Sequence, residues 1–288
     1  MAIADYSKLM DTMKGILLKR IETGTLVLPC IPKIAAELQQ LLDDPKSDQG
    51  KIMKIVDKDP ILVAQIMKVS NSALNRRSGK LESLSKAVGH LGFRSIKNIL
   101  LTSVSRQIFV SHDPRINSTI TAMWEHCLAV GLLARNVAGI SGCRDVEPAF
   151  IAGLLHDIGK IVVATYLLEF ERGLPIREAM DWIDLDNWMH IIEEIHRDVG
   201  MAIVESWALP QVIIRIIEEF EDYDAADRIS PLNAVLFANA LAKREGLYEG
   251  ITDREGVQSM IMIGKSLLGI DDAVITGLTR EINDQVLL

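Results

Sequence analysis

One stretch of the sequence combines metal-binding residue types with the end of a predicted helix. In GLLHDIGK, His156 and Asp157 follow an apolar run with helical spacing, and Gly159 and Lys160 come directly after them. Adjacent side chains on a regular helix point in different directions, so both can reach one ion only where the backbone departs from the helix. Imidazole nitrogen and carboxylate oxygen are common ligands of divalent metal ions. The pair therefore indicates a metal site at a helix terminus.

A second imidazole lies upstream of this pair. His126 precedes His156 by 30 residues, and its neighbours at i−3 and i+4, Met123 and Val130, are apolar. Because these positions share one face of a helix, we expect His126 to point inward. Two alternatives stay open at this point. His126 can be a core histidine that is hydrogen-bonded to a carbonyl, and Asp157 can serve only to orient His156.

The segments around these residues have the periodicity of helices. Apolar residues recur at i, i+3 and i+4, and Asp59 followed by Pro60 is typical of a helix start. The β-branched run IVVATY (161–166) is ambiguous, but the sequence has neither a hairpin signal nor a βαβ pattern. We therefore expect an all-α fold. Its predicted helices include 119–138, a run through 150–158 that stops at Gly159, 187–206, 210–220 and 230–244.

Composition narrows the class of protein further. The chain has 288 residues, 49% of them hydrophobic, and a net charge of −8. Charged residues interrupt every apolar run before it reaches the roughly 18 residues of a membrane-spanning helix. Asp5 and Asp11 do not suit a signal peptide, and the three cysteines (Cys30, Cys127 and Cys143) have no CxxC spacing. The sequence thus predicts a soluble cytoplasmic protein with reduced thiols and no membrane partner.

The charge is unevenly distributed along the chain. Residues 51–110 contain 11 basic and 3 acidic residues, a net +8, so the remainder carries −16. This asymmetry permits a phosphate-bearing partner, but it equally permits ordinary solvated faces. Residues 84–109 also have the outline of a helix-turn-helix module. Since apolar residues occupy much of its second helix and the whole chain is acidic, nucleic-acid binding ranks last among the alternatives.

The order of the motifs resembles a known family. His126, the His156-Asp157 pair and HRDVGMAIVESWALP (196–210) together resemble the HD superfamily of metal-dependent phosphohydrolases. The likeness is closer to the HDOD domain, a signalling-associated branch, and covers roughly residues 20–245. It is carried by LPCIP (28–32), DPILVAQIMKVSNS (59–72) and AVGHLGFRSIKNILL (87–101).

The resemblance implies an HD-domain-like helical fold in which an N-terminal helical lobe packs on an HD-type lobe. We accordingly expect these lobes at 1–118 and 119–245, with the polar stretch 111–118 as their boundary. A C-terminal helical extension would follow at 246–288, where it either caps the domain or mediates homo-oligomer formation.

The resemblance also implies a ligand set. His126, His156 and Asp157 would bind a divalent ion (Mn, Fe, Mg or Zn), whereas the last aspartate of the superfamily falls here on Asn239. A neutral amide attracts a cation less strongly than a carboxylate does, so we expect a weakened site that can also be empty. His196 is a further candidate ligand, with a rim histidine as the alternative.

Asp157 and Lys160 would be the catalytic residues if the protein is an enzyme. Lys160 would then meet a phosphate as a point charge. The alternative for Lys160 is a cation that stabilises a helix C-terminus.

The resemblance implies a bacterial signal-transduction module, and Asn239 favours a degenerate metal site in it. It would bind a signalling protein or a small phosphate-containing ligand without catalysis. The alternative is an active metal-dependent phosphohydrolase that acts as a phosphatase or phosphodiesterase.

Overall fold

The described residues of the computed structural model are helical and contain no strand, which confirms the expected all-α class. The structure describes residues 3–26, 41, 49–71, 80–92, 96, 113–172, 184–207, 209–248, 250 and 253–286. Its helices are α1 (Ile3–Glu22), α2 (Gln49–Val56), α3 (Pro60–Ser70), α4 (Pro114–Ile140), α5 (Glu147–Leu155), α6 (Ile158–Arg172), α7 (Leu185–Ser206), α8 (Gln211–Glu218), α9 (Pro231–Arg244), α10 (Arg254–Leu268) and α11 (Asp272–Val286), and residues 84–92 are helical as well.

Local capping signals set the helix starts. The Asp59 carboxylate accepts hydrogen bonds from the backbone N–H groups of Ile61 and Leu62, which confirms the predicted start of α3. Asp113 caps α4 in the same way, with Pro114 in the first turn. Helix α4 is therefore longer than the predicted 119–138, and residues 114–118 of the expected boundary stretch form its first turns.

One other expectation about a helix end needs correction. The apolar run before His156 does not continue as helix to Gly159, because α5 ends at Leu155 and α6 begins at Ile158. The ambiguous stretch 161–166 belongs to α6 and is helical. Three of the sequence motifs lie wholly or mostly outside the described residues. They are LPCIP (28–32), the AVGHLGFRSIKNILL block (87–101) and the second helix of the predicted helix-turn-helix module (84–109).

Helices α4 to α9 form the part of the core that positions the candidate site. Helix α4 packs against α5 and α9, and α6 packs against α7. Trp124, Trp188 and Trp207 are all buried, as is typical of core anchors. Helix α3 contacts α4 and α5, which joins the N-terminal segment to this core.

The outer helices complete the packing. Helix α1 buries Met13 and Leu17 and lies against α7, and its Arg20 forms an ion pair of 2.7 Å with Glu169 of α6. At the other end of the chain, α10 packs on α9 and α11 packs on α4. The predicted C-terminal extension is thus helical and joined to the core.

One stretch has the length and composition of a membrane span. Glu147–Arg172 reaches a mean hydropathy of 1.5, but 89% of its window is buried inside the protein, as is usual for core helices.

Pairs of glycines let these helices touch backbone to backbone. A Cβ atom on Gly153 would lie 3.0 Å from the Cα atom of Gly131, where α5 crosses α4. A Cβ atom on Gly159 would lie 1.8 Å from the carbonyl oxygen of His196, where α6 crosses α7. No side chain fits in such a gap, so the two crossings fix the relative positions of α4, α5, α6 and α7.

Replacing Gly159 with alanine should therefore destabilise the protein. The new methyl group must push α7 away from α6, and overpacking of this kind costs about 3 kcal/mol of unfolding free energy. The measurement is chemical denaturation of Gly159→Ala beside Gly277→Ala. Gly277 is an exposed glycine of α11, and a Cβ atom added to it would meet nothing within 4 Å, so its replacement should be neutral or stabilising. Equal stability of the two variants would contradict the backbone contact between α6 and α7.

Candidate metal centre

The break between α5 and α6 places His156 and Asp157 in a turn between two helices. The Nδ1 atom of His156 lies 2.7 Å from the carbonyl oxygen of Gly153, and the backbone N–H of Lys160 donates to the carbonyl of Asp157 at 2.9 Å. The turn gives the two consecutive side chains a common direction. The Nε2 atom of His156 lies 3.6 Å from Oδ2 of Asp157.

His126 reaches the same point from α4. Its side chain is 2% exposed, its Nδ1 atom lies 2.6 Å from the carbonyl oxygen of Leu247, and its Nε2 atom lies 3.9 Å from Oδ2 of Asp157. The expectation that His126 points inward is confirmed. Leu247 lies in the C-terminal extension, so this segment orients a residue of the candidate site.

The two backbone carbonyls determine which ring nitrogen carries the proton. A carbonyl only accepts hydrogen bonds, so in each neutral imidazole Nδ1 is the donor and Nε2 keeps its lone pair. Both Nε2 atoms are buried and have no hydrogen-bond partner among the described residues. The ligand atoms of His126, His156 and Asp157 lie within 4.8 Å of one another.

Burial and charge put these groups in metal-binding protonation states. Burial lowers the pKa of His126 to about 3, and it lowers the pKa of His156 as well. Burial acts to raise the pKa of Asp157, but the charged ammonium of Lys160 outweighs it and holds the carboxyl pKa below its usual range. Two neutral imidazoles and one carboxylate are the forms that a divalent ion requires.

The donor set therefore fits a divalent metal ion. A buried acceptor without a partner costs about 1–3 kcal/mol, and an ion between the two Nε2 atoms and the carboxylate would remove that cost for both imidazoles. A space of about 10 Å³ beside the cluster is lined by Met123, His126, Asp157, Lys160 and Tyr248. The Oδ1 atom of Asn239 is also buried without a partner among the described residues, and Asn239 borders the larger cavity next to the cluster.

The larger cavity has a volume of about 250 Å³ and combines polar and apolar walls. His196 lies on its polar side, with Nδ1 at 2.8 Å from the carbonyl oxygen of Glu193. His196 is not one of the three residues whose ligand atoms cluster within 4.8 Å. Ile217 and Phe220 form part of the apolar side. The mixture suits a small ligand that has both polar and apolar parts.

Lys160 lies beside the cluster in a network of charged groups. Its Nζ atom lies 3.0 Å from Oε1 of Glu193, 3.0 Å from the hydroxyl of Tyr248 and 3.4 Å from Oδ2 of Asp157. Burial acts to lower its pKa, but Asp157 and the other partners raise it overall, so the ammonium stays charged. Lys160 belongs to the first turn of α6, so its placement at a helix C-terminus was wrong.

Sequence reasoning missed several residues of the site. Glu193 is three residues before His196 on α7, a spacing that could have drawn attention to it. Leu247, Tyr248 and Lys243 gave no comparable signal, because they reach the site through the path of the chain after α9 and not through a local pattern.

Comparison with known proteins establishes the family. The HDOD domain family matches residues 28–223, more than half of the chain, so the protein belongs to the HDOD domain family. The match ends before Asn239 and before the C-terminal extension. An uncharacterized protein of Treponema pallidum (strain Nichols) is 25% identical over 220 residues, which cover 74% of this chain and 41% of that relative. The chain thus corresponds to less than half of the relative's length.

Solved structures share the fold. The MmoQ response regulator of Methylococcus capsulatus aligns with a TM-score of 0.64 and 16% identity, covering 88% of this chain and 97% of that one. A Shewanella amazonensis protein assigned to the metal-dependent phosphohydrolases aligns with a TM-score of 0.50 and 20% identity, covering 98% of this chain and 99% of that one. A virulence factor of Campylobacter jejuni aligns with a TM-score of 0.53 and 16% identity, covering 90% of this chain and 98% of that one.

Removing one imidazole should abolish metal binding by the cluster. We expect His156→Ala to lower the affinity for Mn²⁺ or Zn²⁺ by at least about 100-fold, because loss of a ligand costs more than loss of an outer hydrogen bond. Isothermal titration calorimetry and elemental analysis of protein purified without chelator provide the measurement. His190→Ala is the matched control, since it removes an exposed imidazole of α7. Equal metal content in both variants would contradict the assignment.

Proposed function

We propose that this protein is a regulatory HDOD module of a bacterial signalling system, whose metal centre binds a phosphate-containing small ligand without hydrolysing it. The observation that carries the proposal is the set of acceptors: two neutral imidazoles, one carboxylate and the amide of Asn239. When bound, a divalent ion would supply a positive charge and open coordination positions for a phosphate oxygen.

The count of charges supports anion binding. A divalent ion with Asp157 as its one charged ligand keeps a net charge of +1, whereas a carboxylate at position 239 would cancel it. Asn239 therefore favours a site that attracts an anion. The same substitution weakens the attraction for the ion itself, since unit charges 4 Å apart interact by about 4 kcal/mol at an effective dielectric constant of 20. Binding is favoured over efficient metal-dependent turnover.

The environment of Lys160 supports the absence of catalysis. A lysine that stabilises a transferring phosphate needs an ammonium that can reach it. Here the side chain of Lys160 is 6% exposed, and its ammonium already has Asp157 and Glu193 within ion-pair distance. If the ammonium of Lys160 stabilised a phosphate, those ion pairs would have to be broken in a buried environment, which is costly.

The position of the cavity suits signal transmission. Glu193 and His196 both belong to α7, and α7 is also the helix on which α1 packs. A ligand that shifts these two side chains acts on the same helix that holds α1. We propose that a signalling protein of the cytoplasm binds this module and senses the change.

An active metal-dependent phosphohydrolase is the second candidate. The convergence of His126, His156 and Asp157 favours it, and the similar Shewanella amazonensis structure carries that assignment. Because its identity to this chain is 20%, the likeness extends to the fold alone. Activity assays separate the two candidates.

Metal-loaded wild-type protein should show no metal-dependent turnover. We expect hydrolysis of p-nitrophenyl phosphate and bis-p-nitrophenyl phosphate to be equal in the wild type and in Asp157→Ala, because the residual rate would not come from this centre. Measurements with added Mn²⁺ and with added Zn²⁺ check the expectation. Turnover that disappears in both His156→Ala and Asp157→Ala would establish the phosphohydrolase instead.

Restoring a carboxylate should strengthen the metal centre. We expect Asn239→Asp to increase the affinity for Mn²⁺ by about 10- to 100-fold, with part of the coulombic gain offset by desolvation of the new carboxylate. The metal-induced increase in Tm should rise accordingly. Gln211→Glu, which adds the same charge at an exposed position of α8, is the control and should bind like the wild type. An unchanged affinity in Asn239→Asp would show that position 239 does not contact the ion.

A further inference from the structure

Lys160 and Lys243 both border the cavity of about 250 Å³ beside the candidate metal centre. They differ in the number of carboxylates that lie within ion-pair distance of the ammonium. Lys160 has two carboxylates within ion-pair distance. Lys243, one turn after Asn239 on α9, forms no ion pair with any described residue, and its Nζ atom lies 4.5 Å from the ring centroid of Tyr248. Lys243 is half-buried. A cation in this position is held by the aromatic ring, and the two carboxylates that attract it, Asp157 and Glu193, are already paired with Lys160.

Lys243 also faces a second space on its other side. An open cleft of about 450 Å³ is lined by Lys243, Arg244, Gly246, Tyr248, Arg254, Val257 and Gln258. Lys243 and Tyr248 line both this cleft and the cavity at the metal centre, so they form the wall between the two. The cleft lies at the junction of α9 and α10.

The lining of the cleft is basic. It contains three cations and no carboxylate among the described residues, in a chain whose net charge is −8. Arg244 is neutralised by Glu245 at 2.7 Å. Arg254 is exposed and forms no hydrogen bond or ion pair with the described residues. Two of the three cations, Lys243 and Arg254, therefore have no ion-pair partner in the part of the chain that the structure describes.

The turn after α9 builds this arrangement. Gly246 has a φ of 80°, a left-handed conformation that glycine adopts without strain. The chain can therefore reverse immediately after α9, which brings Tyr248 back against Lys243 and sets Arg254 at the start of α10 beside them. All of these residues follow the matched HDOD residues 28–223, so the cleft is a feature of the C-terminal part of the chain.

We propose that the cleft is an anion subsite for a second phosphate group of the ligand bound at the metal centre, so that the ligand is a small bisphosphate. The inference rests on the proposed function. Lys243 would contact the ligand where it passes from the cavity into the cleft. Arg254 would bind the outer phosphate, because a guanidinium group can donate two parallel hydrogen bonds to it. The cavity and the cleft together have the size of a site for such a molecule.

A pair of ligands that differ by one phosphate group tests the inference. The probes are hexanediol bisphosphate, with a phosphate at each end, and hexyl phosphate, with one. Calorimetric titration of the manganese-loaded protein should give about tenfold tighter binding of the bisphosphate, in keeping with one additional charge-assisted contact. Arg254→Gln should remove this difference and leave the affinity for hexyl phosphate unchanged. Arg280→Gln, which removes the same charge from the exposed surface of α11, should bind both ligands like the wild type.

The outcomes separate the subsite from the metal centre. If the wild type binds both ligands equally, or if Arg254→Gln keeps the preference for the bisphosphate, the cleft is not the second subsite. Binding of hexyl phosphate that depends on His156 would still support the proposed function in that case. If manganese-loaded protein binds neither probe, the proposed function and the subsite are both overturned. A preference that is lost in Lys243→Gln as well as in Arg254→Gln would support the subsite further.

Discussion

The candidate site depends on two hydrogen bonds to backbone carbonyls. The carbonyl oxygens of Gly153 and Leu247 bind the Nδ1 atoms of His156 and His126, and so direct both Nε2 lone pairs towards Asp157. Side chains could rotate or change protonation, but a carbonyl within a helix or a packed turn has a fixed position and only accepts. The tautomers that a metal ion would require are thus present in the protein, and an ion would not have to reorganise the rings.

Asp157 is shared between two cations in this arrangement. Its Oδ2 atom lies near the Nε2 atoms of both imidazoles and also 3.4 Å from the ammonium of Lys160, and Glu193 supplies a second negative charge to Lys160. Tyr248 completes the network with its hydroxyl group 3.0 Å from Lys160. Because the charges are buried together, none of these residues can be replaced without leaving a partner unbalanced. The site is therefore a unit and not a set of independent ligands.

Local patterns in the sequence were sufficient for the fold class and for drawing attention to His126, His156 and Asp157, which the structure brings together. The apolar neighbours of His126 gave its inward direction, and the change of regularity at His156 and Asp157 gave the turn that the structure contains. The predicted helix end at Gly159 was less accurate. Ile158 is apolar and continues the helical spacing, although it begins a new helix. The spacing of apolar residues shows which face of a helix is buried. It does not show a short break between two helices when the apolar residues on both sides of the break keep that spacing.

Contacts between distant segments could not be predicted in this way. Lys160 binds Glu193, which is 33 residues later, and His126 binds Leu247, which is 121 residues later. The first contact depends on the crossing of α6 and α7, which the glycine pair Gly159 and Gly200 sets, and the second depends on the path of the chain after α9. A glycine in a sequence gives no indication of which other backbone will lie against it. The path of the chain after α9 follows from no local pattern either, so the contribution of the C-terminal extension was missed.

The bond from His126 to position 247 uses a main-chain atom, and this has a consequence for how the protein can diverge. Any amino acid at that position offers the same oxygen, so this hydrogen bond does not depend on the leucine side chain, which packs against the core. A shift of the course of the chain by an insertion or deletion near Gly246 would rotate the imidazole and change the strength of the metal centre without altering a single ligand. Related proteins could in this way acquire different metal affinities from changes confined to a connecting segment.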